Sequence, residues 1–126
     1  MGDRDIRLYG FVPDPFAYLV RAKLYVQTSR WEDPGHALLE AAALRVPIVS
    51  TDCPSGPSVI LSNGLAGSLC PVGDYKCLAQ KMIKTLTENT RPKVELAFKN
   101  AQLFSIKAHY ESYRPYLNQW FNQYAR

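Results

Sequence analysis

Glu32 and Glu40 stand either side of Pro34-Gly35, a turn that opens a helix, within the stretch from Ser29 to Pro57. The first turn of a helix presents unpaired backbone N–H groups and the positive end of the helix dipole, and both bind anions. Pro34 has no N–H, so the amides of Gly35, His36 and Ala37 carry that contact. A carboxylate within the helix, such as Glu40, can accept hydrogen bonds from two neighbouring hydroxyls at once. Together these groups suit a ligand that is part phosphate and part polyol, as a nucleotide sugar is. Plainer readings exist for each. Glu40 also fits as a solvated helix residue, His36 as a surface residue at a helix start, and Asp52 and Ser55 as turn formers.

The elements that must position these groups alternate between strand and helix. Ile6 to Val12 reads as a strand stopped by Pro13 and Pro15, and Phe16 to Ala22 as a short helix. Leu24 to Thr28 is a second strand and Ser29 to Gly35 a loop. His36 to Leu44 is a helix rich in Ala and Leu, with apolar residues all round it, which predicts burial on more than one side. Pro47 to Thr51 is a short apolar strand of the kind covered on both faces in a parallel sheet. Cys53 to Pro57 is a turn, Ser58 to Leu61 a short helix, and Gly67 to Cys70 a fourth strand. Asp74 caps a helix running to about Leu86. Pro92 opens another that ends near Leu103. The last stretch, Ile106 to Tyr124, is a long helix with an aromatic stripe, which Pro115 should kink or break. Alternation of this kind predicts an α/β fold with parallel strands, whose ligands bind at the carboxyl ends of the strands. The loops after the second and third strands, 29–35 and 52–57, should therefore share one edge of the sheet.

The chain has 126 residues, of which 47% are hydrophobic and 21% charged, enough for one small globular domain. Its net charge of +4 fits an anionic ligand or an anionic membrane surface, and is too scattered for nucleic acid. No zinc spacing appears. Three cysteines, Cys53, Cys70 and Cys77, give an odd count without metal spacing, which predicts free thiols in a reducing compartment. The start is polar, without the pattern of a signal peptide, and no apolar run approaches the ~20 residues of a spanning helix.

A family resemblance rests on Tyr9-Gly10-Phe11-Val12, Ala22-Lys23-Leu24-Tyr25-Val26, Ser29 and the pair Glu32 to Glu40, a Glu, seven residues and a second Glu. It continues through Pro47-Ile-Val-Ser-Thr-Asp-Cys53, Ser55-Gly-Pro57, Gly67-Ser-Leu-Cys-Pro71 and Asp74. In that order and spacing, over residues 6 to 86, the chain resembles the donor-binding domain of retaining GT-B glycosyltransferases of the family 4 type. The resemblance implies that Glu40 binds the ribose hydroxyls of the donor nucleotide. Glu32, the catalytic position, contacts hydroxyls of the transferred sugar. Gly35, His36 and Ala37 then meet the sugar or the diphosphate through their amides. Where the common motif has Gly and an aromatic after the first Glu, this chain has Asp33 and Pro34, a departure that falls on the sugar half of the site. Metal independence is also implied, with no cofactor beyond a UDP- or GDP-sugar substrate and no Asp-x-Asp motif.

The same resemblance implies a partial Rossmann-like domain at 1–104 and a C-terminal aromatic helix at 105–126 that would cross to a missing N-terminal domain. The family sheet runs 3-2-1-4-5-6. Strand 6–12 would be its third, and the strands at 24, 47 and 67 its last three. The first two strands and a basic Arg–Lys pair that neutralises the diphosphate would lie upstream, and nothing in residues 1 to 28 replaces them. The expectation is therefore a C-terminal piece of a longer enzyme that moves sugar to a glycan or lipid-linked acceptor in cell-surface polysaccharide synthesis. It would be cytoplasmic, with peripheral contact to the inner face of the membrane, and inactive alone. The alternatives are a non-catalytic α/β binding or assembly module that keeps the scaffold, and a nucleotide-sugar epimerase of the same fold.

Overall fold

The fold is built around three short strands that pair in parallel. The computed structural model describes residues 6–124. Its elements run α1 (Phe16–Leu19), β1 (Tyr25–Gln27), α2 (His36–Ala43), β2 (Ile48–Thr51), α3 (Pro57–Ile60), a 3-10 turn (Ser62–Gly64), β3 (Ser68–Cys70), α4 (Tyr75–Thr87), α5 (Arg91–Gln102) and α6 (Ile106–Tyr124). The strand order is β1-β2-β3, with Val26 opposite Val49 and Ser50 opposite Leu69. This is a mixed α/β architecture with a short parallel sheet, flanking helices and a long C-terminal helix, consistent with a partial GT-B Rossmann-like domain.

Parallel strands need crossovers, and helices supply them, so the central strand is covered on both faces. All of β2 is buried. The core gathers Leu38, Ala41 and Ala42 of α2 with Val46, Ile48, Ile60, Leu61 and Ala66, and α5 adds Ala97 and Ala101. Small residues on α2 and α5 let these two helices approach closely. Asn100 of α5 donates its Nδ2 to the Ile60 carbonyl at 2.7 Å and to Ser62 Oγ at 2.8 Å, and so satisfies the carboxyl end of α3. Asp74 caps α4 as expected, accepting from the Cys77 amide at 2.9 Å.

Four sequence expectations need correction. The segment 6–12 is not a strand, and Leu8 and Phe11 are almost fully exposed. Alternating apolar residues make a strand only when a neighbour takes their N–H and C=O groups, and no described strand pairs with this segment. Helix α2 buries one side rather than several, since His36, Ala37 and Ala43 are exposed. The cysteines are not all free. Cys70 and Cys77 are disulfide-bonded and Cys53 is a buried free thiol. The reversal from β3 through the Pro71–Asp74 turn into α4 brings the two Cα atoms to 5.8 Å, within bridging range. The thiol count therefore no longer argues for a reducing compartment.

Fourth, Pro115 does not break α6, which continues through it to Tyr124. No residue of this helix is buried, so water can satisfy the carbonyl that Pro115 leaves without a donor. Its stripe of Tyr110, Tyr113, Tyr116, Trp120, Phe121 and Tyr124 stays exposed. Among the described residues, no helix is long and apolar enough to cross a membrane.

Candidate functional site

The loops that leave β1 and β2 lie side by side at the carboxyl edge of the sheet. Adjacent parallel strands send their following loops to the same edge. Thr51 Oγ1 at the end of β2 donates to the Ser29 carbonyl, and the Glu32 amide donates to the Pro54 carbonyl at 3.4 Å. The loops touch most closely at Gly56, where an added Cβ would run into the Pro34 carbonyl oxygen, so no side chain fits at that crossing. The Asp33–Pro34 peptide is cis. Gly35 follows with φ of 97°, a left-handed conformation that favours glycine, and starts α2 with no side chain capping its first amides. Helix starts left uncapped in this way present unpaired amides of the kind that bind anions.

Glu32 is half-buried on this loop, and its Oε1 accepts from Ser29 Oγ. Glu40 is half-buried one turn into α2. It lines a cleft of ≈ 320 Å³ with Tyr18, Leu19, Leu24, Tyr25 and Ala37, alongside the free edge of β1. The exposed His36 lines a different cleft, with Phe104, Ile106, His109, Tyr110 and Tyr113, so the first turns of α6 lie near the start of α2. His109, isolated in sequence, thus shares a cleft with His36. Among the described residues, no three His, Cys, Asp or Glu side chains converge as a metal site requires.

Tyr25 feels the charge of both glutamates. Burial, and then the charges of Glu32 and Glu40, push its phenol above the usual value of 10.0. The native state therefore holds this proton more tightly than the unfolded chain. Below about pH 10 both states carry it, and stability does not depend on it. Above that, the unfolded chain ionises first, and stability falls as pH rises toward the native pKa. In Tyr25→Phe this alkaline loss should shrink, measured as the change in urea midpoint between about pH 9 and pH 11. An undiminished loss would show that another group carries it. The variant also forfeits the hydrogen bond from Tyr25 Oη to Gln27 Oε1, at 2.9 Å, at a cost of about 1 kcal/mol at neutral pH.

The sequence reading missed Tyr25 and Gln27 as members of this cluster. Gln27 had a signal, a polar residue ending an otherwise apolar strand that proves to be buried. Tyr25 had none beyond its place in that strand.

Comparison with known proteins follows the same lines. Residues 3–103 match the family described as Glycosyl transferases group 1. The chain belongs to this family, within the GT-B superfamily. It is 36% identical over 86 residues, 67% of its length, to a 2-deoxystreptamine N-acetyl-D-glucosaminyltransferase of Niallia circulans. It is 28% identical over 103 residues, 75% of its length, to the capsular polysaccharide biosynthesis glycosyltransferase CapM of Staphylococcus aureus. An uncharacterized glycosyltransferase of Methanocaldococcus jannaschii is 37% identical over 57 residues, 45% of this chain. These matches cover 22%, 27% and 14% of the respective relatives, so the chain spans about a quarter of their length or less.

Proposed function

We propose that this chain supplies the donor half-site of a retaining GT-B glycosyltransferase of the family 4 type, transferring a hexose-type sugar from a UDP- or GDP-sugar. In this reading Glu40 grips the ribose hydroxyls. The amides of Gly35, His36 and Ala37 meet the diphosphate at the start of α2, and Glu32 contacts hydroxyls of the transferred sugar. Catalysis then consists of positioning, together with stabilising an oxocarbenium-like centre and the departing diphosphate. No metal or cofactor takes part. The partial donor domain reaches to residue 104, and the aromatic helix α6 after it crosses to an N-terminal domain carried by the rest of the enzyme. The acceptor is a glycan or a lipid-linked acceptor at the inner face of the membrane, in polysaccharide synthesis. The name of CapM supports that last step by relationship.

The observation that carries the reading is the uncapped Gly35 turn between the half-buried Glu32 and Glu40, whose charges both raise the Tyr25 phenol. Calorimetric titration with UDP, GDP and their sugars tests it, the expected result being binding of at least one nucleotide. Absence of all binding favours a non-catalytic module. The chain alone should transfer no sugar to any acceptor, because an active site between two domains needs both. Robust transfer by the purified 126 residues would refute the half-site assignment.

A further inference from the structure

The bridge between Cys70 and Cys77 joins the last residue of β3 to the first turn of α4. Other groups already shape that turn. The Asp74 amide donates to the Pro71 carbonyl at 3.1 Å, and the Cys77 amide donates to Asp74 Oδ1 at 2.9 Å. The 5.8 Å between the two Cα atoms is thus supported by hydrogen bonds that do not involve sulfur. What the bridge adds is a covalent tie on β3. That strand has three residues, lies at an edge of the described sheet and pairs with β2. The Cys70 carbonyl at its end accepts from the Asp52 amide at 2.7 Å. Asp52 begins the loop 52–57, which meets the loop of Glu32 through the Pro54 carbonyl. The two cysteines differ in access. Cys70 is 1% exposed, whereas Cys77 is half-buried and follows a run of exposed residues from Pro71 to Lys76. A cleft of ≈ 430 Å³, lined by Asp52, Leu69, Cys70, Pro71 and Val72, opens beside the turn.

We propose that Cys70 and Cys77 form a reversible thiol–disulfide site that sets how firmly the start of loop 52–57 is held. This role is independent of the donor-site reading. A dithiol reductant supplies the two electrons and two protons. Its thiolate attacks the more accessible Cys77 sulfur, forms a mixed disulfide there, and expels Cys70 as a thiolate that takes up a proton. The second thiol of the reductant then displaces Cys77, so the chain gains two thiols and the reductant becomes a disulfide. An oxidised dithiol reverses the exchange, and the turn hydrogen bonds keep the two cysteines within bridging range for closure. In the reduced chain β3 loses its tie to α4 and keeps its ladder to β2. Its end, with the hydrogen bond to Asp52, then opens more often. Cys53 is buried and lies outside the exchange.

The test equilibrates the 126-residue chain with reduced and oxidised dithiothreitol at varied ratio. After quenching and unfolding, alkylation and mass spectrometry locate the remaining bridge. One reversible transition of the Cys70–Cys77 pair is expected. Free thiols at both positions at every ratio, a bridge through Cys53, or a bridge that the reductant never opens in the native chain would each overturn the assignment. Hydrogen exchange reads the consequence. The Asp52 amide should exchange about tenfold faster or more in the reduced chain than in the oxidised one. Cys77→Ala should show the fast rate under both conditions. Equal rates in the oxidised and reduced chains would mean that the bridge governs nothing beyond its own turn, and the proposed control of loop 52–57 would fall.

Discussion

Glu40→Ala should abolish nucleotide binding while leaving the melting temperature of the chain almost unchanged. In the proposed donor site, two charge-assisted hydrogen bonds from ribose hydroxyls would contribute about 1.5–3 kcal/mol each, so their loss would lower affinity by about 100-fold or more. Little stability goes with them. The Glu40 side chain is half-buried, lines an open cleft and enters none of the described ion pairs. Truncation there leaves no cavity in the core, and it removes a charge that disfavours ionisation of Tyr25. Calorimetry with UDP or GDP reads the first effect and a thermal melt the second. Glu40→Gln should fall between, since an amide oxygen still accepts but without charge. Unaltered affinity in Glu40→Ala would remove the ribose assignment and, with it, the main reason to place the nucleotide along α2.

Leu38→Ala, two residues away on the same helix, should do the opposite. Leu38 is wholly buried, at 0% exposure, among Ala41, Ala42, Ile48 and Ile60. Large-to-small changes at such sites cost about 2–5 kcal/mol, because the transfer energy of the lost methyl groups is joined by the cost of the cavity. A small domain holds about 5–15 kcal/mol in total, and each kcal/mol moves its midpoint by about 4–8 °C. The melt should therefore fall by about 8 °C or more. A melt within about 2 °C of the parent would mean that α2 is not packed as described. Nucleotide affinity measured well below the midpoint should change far less than in Glu40→Ala. The two variants thus separate the face of α2 that holds the fold from the face that meets the ligand.

Most elements from β1 to α6 were legible because their signals are local. Turn residues bound the strands, Asp74 caps α4 through its own side chain, and Pro92 sits in the first turn of α5 where a missing N–H costs nothing. Segment 6–12 misled for the opposite reason. Its alternation is local, whereas the ladder that makes a strand depends on a partner elsewhere in the sheet. Pro115 does not end its helix because no residue of that helix is buried, so water can reach the carbonyl left without a donor.

The sequence alone determined the family, the parallel α/β plan and the two glutamates flanking a glycine turn, since each depends on residue type and spacing along the chain. Only the tertiary structure decided that the charges of both carboxylates reach the Tyr25 phenol, that the Gln27 amide is buried with its Nε2 unpaired, and that Cys70 meets Cys77. The reason is physical. Charge, hydrogen bonding and bond formation depend on distance through space, and that distance is set by how β1, α2 and α4 pack rather than by any pattern within one of them.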